Sequence, residues 1–196
     1  VSSDKSLSIR WALMASQAVG KSRAYNLLES EDVKSCLNAI SKLGTKVIKK
    51  KKIYEIIGNG LNGYSYKNNT VINANNSGTT SRLLVGCIAK SKNTIILKGD
   101  RSLSKRDFSR IIKPMQFMGM NFKSKNGKLP LKISGTNFLR PIKYDVVIPS
   151  SQIKSCLLLA SLNTPYGSIN KIRARASRDH TERLFKFLKI PIKIKT

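Results

Sequence analysis

Apolar residues recur at helical spacing in several stretches of this chain, and short β-branched runs lie between them. Phe108, Ile111, Ile112, Met115 and Met118 share one helical face, and Val33, Leu37, Ile40 and Leu43 share another. Runs at 71–75 and 93–98, bounded by Gly or Asn, read as strands. Asn126-Gly127 reads as the tight turn of a hairpin joining residues 121–125 to 129–134. The middle of the chain therefore predicts a strand at 71–75, a helix at 77–90, a strand at 93–98, a helix at 104–118 and a hairpin, a βαβαββ unit.

The same pattern recurs on either side. Ser3, Ser77 and Ser151 lie 74 residues apart, each where a polar stretch turns into an amphipathic helix, and second helix starts follow near Ser30, Ser104 and Ser177. The first copy shows a helix from Ser3, a strand around 23–28, a second helix and a hairpin across the Lys49-Lys50-Lys51-Lys52 run. The third opens with a strand at 144–148 and reaches only a first hairpin strand at 192–195. The pattern predicts an α/β domain of three pseudo-symmetric βαβαββ units, about 1–69, 70–143 and 144–196, because each unit contributes both layers. The chain starts with Val, one strand late, and stops about one strand early, so it reads as a fragment or trimmed domain. Equivalent helix N-termini packed about one axis point free N–H groups at one place, which predicts an anionic ligand.

Composition changes this picture only a little. The length of 196 residues suits one large domain with a core of its own. The net charge of +27 implies attraction to phosphates, nucleic acid or anionic metabolites, but the excess is scattered Lys concentrated at turns, so a solvated face competes with a polyanion patch. Cys36, Cys87 and Cys156 are odd in number and sit in apolar helical contexts, predicting a reduced, cytoplasmic protein. One histidine and no Cys/His spacing of the zinc type argue against such a site. The most apolar stretch, 11–19, is too short to span a bilayer, and no membrane association is expected.

Two motifs are decoys. Gly58, Gly60 and Gly63 spell GxGxxG, but the residues after them do not read as a helix, so no phosphate cradle is expected. Ser2 and Lys5 spell SxxK without the Lys-Thr-Gly partner of penicillin-recognising enzymes. The helix starts carry the more informative chemistry. Lys5 and Arg10 flank Ser6, which suits a phosphate or carboxylate, although an ordinary N-cap uses the same residue types. Gly78 leaves one helix end without a side chain, which suggests close approach by a ligand. Lys105, Arg106 and Arg178 place positive charge at expected helix starts, where it opposes the macrodipole unless an anion is present. Asp179 and Glu182 match a capping box, with His180 exposed on the first turn.

Asp4-Lys5-Ser6-Leu7-Ser8-Ile9-Arg10, Asn76-Ser77-Gly78-Thr79-Thr80-Ser81-Arg82, Gly99-Asp100-Arg101-Ser102-Leu103-Ser104-Lys105-Arg106, Ser150-Ser151-Gln152-Ile153-Lys154-Ser155 and Ser177-Arg178-Asp179-His180-Thr181-Glu182 together closely resemble the enolpyruvylshikimate phosphate synthase family. The resemblance runs the length of the chain, in order. It implies a two-lobed enzyme of which this chain is most of the N-terminal-half lobe, the second lobe being absent. The implied reaction transfers the enolpyruvyl group of phosphoenolpyruvate to the 5-hydroxyl of shikimate 3-phosphate and releases phosphate, in the shikimate route to chorismate and aromatic amino acids. It implies no metal and no organic cofactor, and a monomer when complete. By motif, Lys5 would be catalytic and touch both substrates. Ser6, Arg10, Ser150, Ser151, Gln152, Ser177 and Arg178 would hold shikimate 3-phosphate, and Asn76, Gly78, Thr79, Arg106 and Gln152 would surround phosphoenolpyruvate, where the herbicide glyphosate competes. The family's acidic proton-transfer residues would lie in the other lobe.

Two departures are visible. Asp107 follows Arg106 where the family commonly has Pro, and His180 stands where other members carry Tyr. A sister family that adds enolpyruvate to UDP-N-acetylglucosamine would need Lys-Asn in place of Lys5-Ser6 and a reactive loop Cys, neither of which is found. A basic RNA-binding module would account for the charge but would need clustered cations with interleaved aromatics. No nucleic-acid partner is expected.

Overall fold

A computed structural model describes residues 4–194. The middle unit sets the plan. Strand β4 (Thr70–Asn73) leads to helix α3 (Gly78–Cys87), strand β5 (Ile95–Lys98), a single turn α4 (Arg101–Ser104), helix α5 (Ser109–Phe117) and the hairpin β6 (Asn121–Lys125) and β7 (Lys128–Ser134). The sheet order is β4-β5-β7-β6, with β4 and β5 parallel and the other pairings antiparallel. The β6–β7 turn is Asn126-Gly127 with positive φ at both residues, as a two-residue hairpin with right-handed twist requires. Along β7, Leu129, Leu131 and Ile133 are buried while Lys128, Pro130 and Lys132 face solvent, a period of two that gives the sheet one core face.

The first unit repeats this arrangement without the parallel strand. Helix α1 (Lys5–Gln17) is followed by β1 (Val19–Tyr25), helix α2 (Glu31–Lys42), β2 (Lys46–Lys50) and β3 (Ile53–Asn59), in a sheet of order β1-β3-β2. The third unit has β8 (Lys143–Val146), helix α6 (Ser151–Ser161), β9 (Lys171–Ala174) parallel to β8, and helix α7 (His180–Phe187).

The six longer helices fall into two kinds. The inner helices α1, α3 and α6 are buried on nearly every side; in α3 only Thr79 and Arg82 escape full burial. The outer helices α2, α5 and α7 bury one stripe each, through Val33, Cys36, Leu37 and Ile40, through Ile111, Pro114 and Met115, and through Thr181, Glu182 and Phe185. Inner helices α3 and α6 lie side by side so closely that a Cβ on Gly86 would sit 2.2 Å from the Cys156 carbonyl oxygen. All three cysteines are buried and free.

Several sequence expectations need correction. The strand expected at 23–28 is β1, starting four residues earlier at Val19; Gly20, at φ +87°, disguises it as a helix-ending turn. The helix expected at 104–118 is two pieces, because Asp100 caps α4 through Leu103 N, and Asp107 accepts from Ser109 N to start α5. Ser104 therefore ends a helical turn, and Lys105 and Arg106 lie in a loop. The start near Ser177 is displaced to His180, and the capping box does not form: Asp179 makes no side-chain cap bond and Glu182 turns to Lys154. The start at Ser3 lies outside the described residues; α1 is capped by Asp4, which accepts from Leu7 N at 2.8 Å. The hairpin strand expected at 192–195 is irregular through Ile194, and Lys195 lies outside the described residues. Residues 64–69 after the glycine decoy are not helical, as expected.

Candidate anion-binding site

The first turns of α1, α3 and α6 meet at one end of the bundle. Gln152, two residues into α6, donates from Nε2 to Thr79 Oγ1 on α3 at 3.1 Å and accepts at Oε1 from Arg82 Nη1 at 3.1 Å. Arg10 on α1 donates to Ser155 Oγ on α6 at 2.9 Å and to Thr181 Oγ1 on α7 at 2.8 Å. Lys5 donates to Asp32 on α2 at 2.9 Å, and the Asp32 carbonyl accepts from Thr80 Oγ1 on α3. Side chains from five helices thus tie three helix N-termini together. The caps themselves are Asp4, Ser77 and Ser150, accepting from Leu7, Thr80 and Ile153 N.

Cations crowd this end. Gly78 lies between two of them: a Cβ there would come within 2.8 Å of Arg82 Nη1 and 2.9 Å of Arg106 Nη1. Arg106 donates to Asn76 Oδ1 at 3.0 Å. Arg82 also donates to the Gly78 carbonyl and stacks over the Phe108 ring, 4.8 Å from its centroid. Burial pulls the Arg82 guanidinium below its ordinary pKa, and the like charge of Arg106 adds to this. Arg10 is 3 % exposed, and burial lowers its pKa too; Glu182 and Asp4 oppose that effect and Arg178 reinforces it. The partly desolvated Arg82 guanidinium, repelled by the exposed Arg106 beside a helix first turn, favours a bound anion, whose charge offsets both effects.

The residues expected from sequence are thus drawn together to different degrees. Lys5, Arg10, Asn76, Gly78, Thr79, Arg106 and Gln152 are linked through the bonds above. Lys5 uses one of its three N–H donors on Asp32 and stays half exposed. Arg10 spends three of its five donors inside the protein, the third on the Ser6 carbonyl at 3.0 Å. Ser150 caps α6, next to Ser151. Arg178 is exposed and within electrostatic reach of Arg10, and the Ser177 Oγ is buried with no hydrogen-bond partner among the described residues. Asp107 is committed to Ser109, and Arg106 reaches Asn76.

Four contributors escaped sequence reasoning. Arg82, Asp32, Ser155 and Thr181 each hold one of the assigned residues in place. Arg82 had a signal available, since it falls one helical turn after Gly78 and so shares its face. Asp32 looks like an ordinary acidic residue in the first turn of α2.

An α/β lobe whose three inner helices bring Lys5, Arg10, Arg82 and Arg106 to one end defines the class of fold and site. The match to known proteins makes the class specific. The family model for EPSP synthase (3-phosphoshikimate 1-carboxyvinyltransferase) matches residues 1–196, and the chain belongs to that family. It is 43% identical over 186 residues to the 3-phosphoshikimate 1-carboxyvinyltransferase of Ruthia magnifica, covering 95% of this chain and 42% of that protein. Identity to the enzyme of the same name from Bartonella quintana is 37% over 194 residues, covering 98% and 43%. The solved EPSP synthase from Acinetobacter baumannii superposes with a TM-score of 0.90 at 33% identity, over 98% of this chain and 43% of that one. The chain spans less than half the length of these relatives.

Proposed function

We propose that this chain supplies one lobe of an enzyme that transfers the enolpyruvyl group of phosphoenolpyruvate to the 5-hydroxyl of shikimate 3-phosphate and releases phosphate. The observation that carries the reading is the junction of α1, α3 and α6, where Gln152 bridges Thr79 and Arg82 beside Gly78 and Arg106. Both substrates are anions, and this is where the fold gathers positive charge.

In this reading Ser6, Arg10, Ser150, Ser151, Ser177 and Arg178 hold shikimate 3-phosphate, Asn76, Gly78, Thr79 and Arg106 surround phosphoenolpyruvate, and Gln152 touches both. Lys5 stands between the substrates, with two donors left after Asp32. The chemistry is addition then elimination. The terminal alkene carbon takes a proton, and the 5-hydroxyl adds to the neighbouring carbon while losing its own proton. The methyl group so formed then gives up a proton as the carbon–oxygen bond to phosphate breaks, restoring the double bond in the product. Lys5, Arg82 and Arg106 offset the charge that moves during these steps. Groups that carry the protons belong to a second lobe, as do further cations for phosphoenolpyruvate. We place the protein in the cytoplasm as a monomer when complete, with no metal or organic cofactor. No helix among the described residues is long and apolar enough to cross a membrane.

Calorimetric titration of the chain with shikimate 3-phosphate and with an RNA oligomer, across salt, tests the reading. The expected result is saturable binding of the small anion and a weak, steeply salt-dependent response to RNA. The reverse order would sink it. The chain alone should show no enolpyruvyl transfer. In a catalytically complete protein containing this lobe, Lys5→Ala should reduce turnover by about a hundredfold or more, while Lys51→Ala, on the exposed β2–β3 turn, should leave it unchanged.

Gly78→Ala in that protein should displace the Arg82 and Arg106 guanidinium groups, the nearest atoms to the added methyl. It should raise the inhibition constant of glyphosate more than the KM of the shorter phosphoenolpyruvate. Equal changes in both would remove Gly78 from the pocket wall.

A further inference from the structure

Beneath the proposed shikimate 3-phosphate subsite lies an ionic layer that the reaction scheme does not use. Glu182, in the first turn of α7, is 7 % exposed and forms an ion pair through Oε1 with Lys154 in the first turn of α6. Its Oε2 is buried without a hydrogen-bond partner among the described residues. Ser155 and Thr181, the neighbours of these two residues on the same helices, bond to each other at 2.6 Å and both accept from Arg10. Residues 154–155 of α6 and 181–182 of α7 therefore meet as two adjacent rungs, one ionic and one neutral, with the Arg10 guanidinium across the second.

Charge explains why the carboxylate is there. Arg10 is 3 % exposed and the Lys154 side chain 14 % exposed, and Glu182 is the one acidic residue in the two rungs. A buried cation without a counter-charge is costly, and Lys154 in a helix first turn also opposes the macrodipole. One carboxylate offsets both. The helices it joins carry Ser150, Ser151 and Gln152 on one side and Ser177 and Arg178 on the other.

We infer that Glu182 is a positioning residue for the shikimate 3-phosphate subsite, fixing the first turn of α7 against that of α6 and holding Arg10 in place through the shared charge. This rests on the reading of the site given above. Glu182 touches no substrate. It acts through Lys154, Thr181 and Arg10, and it does so although its own negative charge disfavours a nearby anion.

The test measures shikimate 3-phosphate binding to the chain by calorimetry, with a thermal melt of every variant. Glu182→Gln should weaken binding by about tenfold or more, because it leaves the buried Arg10 guanidinium without this counter-charge, and Glu182→Asp should restore part of it. Lys154→Met should cost much less, since Glu182 then still serves Arg10, and Lys154→Met/Glu182→Gln should stay as weak as Glu182→Gln. A binding loss that tracks the melting temperature across all variants, including Leu131→Ala in the distant middle sheet, would reduce Glu182 to a stabilising residue. Unchanged or tighter binding by Glu182→Gln would also overturn the inference. If the unmutated chain does not bind shikimate 3-phosphate, the reading of the site fails first, and the inference falls with it.

Discussion

The middle and third units share a plan but differ in how far it is carried out. In the middle unit the hairpin β6–β7 completes a four-stranded sheet, and Leu129, Leu131 and Ile133 are buried in the common core. Among the described residues of the third unit, β9 pairs only with β8, and Val147, Tyr166, Ile169 and Phe187 are each at least 74 % exposed. The hairpins also reach the far ends of the inner helices: Gly60 N donates to the Ala18 carbonyl after α1, and Thr136 N to the Ala89 carbonyl after α3. Gly58 and Gly135 permit that approach, since a Cβ on either would lie within 2.7 Å of a helix-end carbonyl oxygen. The cationic end needs none of this. It is assembled from helix first turns, so the sheets hold one end of the lobe and the helices build the other.

The sharpest way to break this comparison is to truncate one apolar side chain in each unit. Leu131 is fully buried, and Leu131→Ala should cost about 3 kcal/mol through lost burial and the cavity left behind. Phe187 is 81 % exposed, and Phe187→Ser should shift stability by less than about 0.5 kcal/mol. Urea denaturation of both variants measures the difference. Similar losses would mean that the third unit is packed as tightly as the middle one.

The junction between these units is the next target. Gly86 lets α3 and α6 touch, and the atom facing it is a backbone oxygen that cannot rotate away. Gly86→Ala gains helix propensity but must separate the helices, for a net loss of about 2 kcal/mol. It should also weaken anion binding, because Thr79 and Gln152 lie on the same two helices. Retained stability with retained binding would show that the helix pair is freer than the 2.2 Å approach allows.

Both units were legible in the sequence where one force dominated. The β6–β7 hairpin follows from alternation and Asn126-Gly127, and α3 from its apolar content and the Ser77 cap. Legibility failed where local hydrogen bonding overrode periodicity. Phe108, Ile111, Ile112, Met115 and Met118 do share a face, but Asp100 caps α4 and Asp107, just before the α5 N-cap Phe108, accepts from Ser109 N, so two separate pieces form and Arg106 ends in a loop beside Gly78. Glu182 has the right spacing from Asp179 for a capping box, yet a cation on another helix outbids the local backbone N–H. The candidate site was readable as residue types at helix starts. Its internal wiring, through Arg82, Asp32, Ser155 and Thr181, depends on inter-helix partners 26 to 171 residues away, and no local pattern encodes such pairings.

Thiol chemistry sharpens the comparison without mutation. Burial pushes Cys36 and Cys156 up to about 12 and Cys87 well above its ordinary value, so at pH 8 reaction with iodoacetamide requires the structure to open. Cys156 belongs to the third unit and Cys36 to the first. Peptide mass spectrometry should find Cys156 labelled about tenfold faster than Cys36, equivalent to an opening easier by roughly 1.4 kcal/mol. Equal rates would indicate one cooperative unit.

The smallest effect compares the two sheets at their surfaces. In the middle sheet, β6 and β7 place Lys123 directly opposite Lys132 and Lys125 opposite Lys128, all four exposed. In the third, β8 and β9 place Asp145 opposite Arg173, with the charged groups 3.9 Å apart. Like charges facing each other across strands are destabilising and opposite charges mildly stabilising, each by a few tenths of a kcal/mol at an exposed site. Lys132→Glu should therefore stabilise the protein by about 0.5 kcal/mol and Asp145→Lys should destabilise it by a similar or smaller amount. Both effects should shrink at 1 M salt, where charges are screened beyond about 3 Å. Melts at low and high salt read this directly. A gain from Lys132→Glu that persisted at 1 M salt would point to side-chain packing on the sheet, not to relief of the facing lysines.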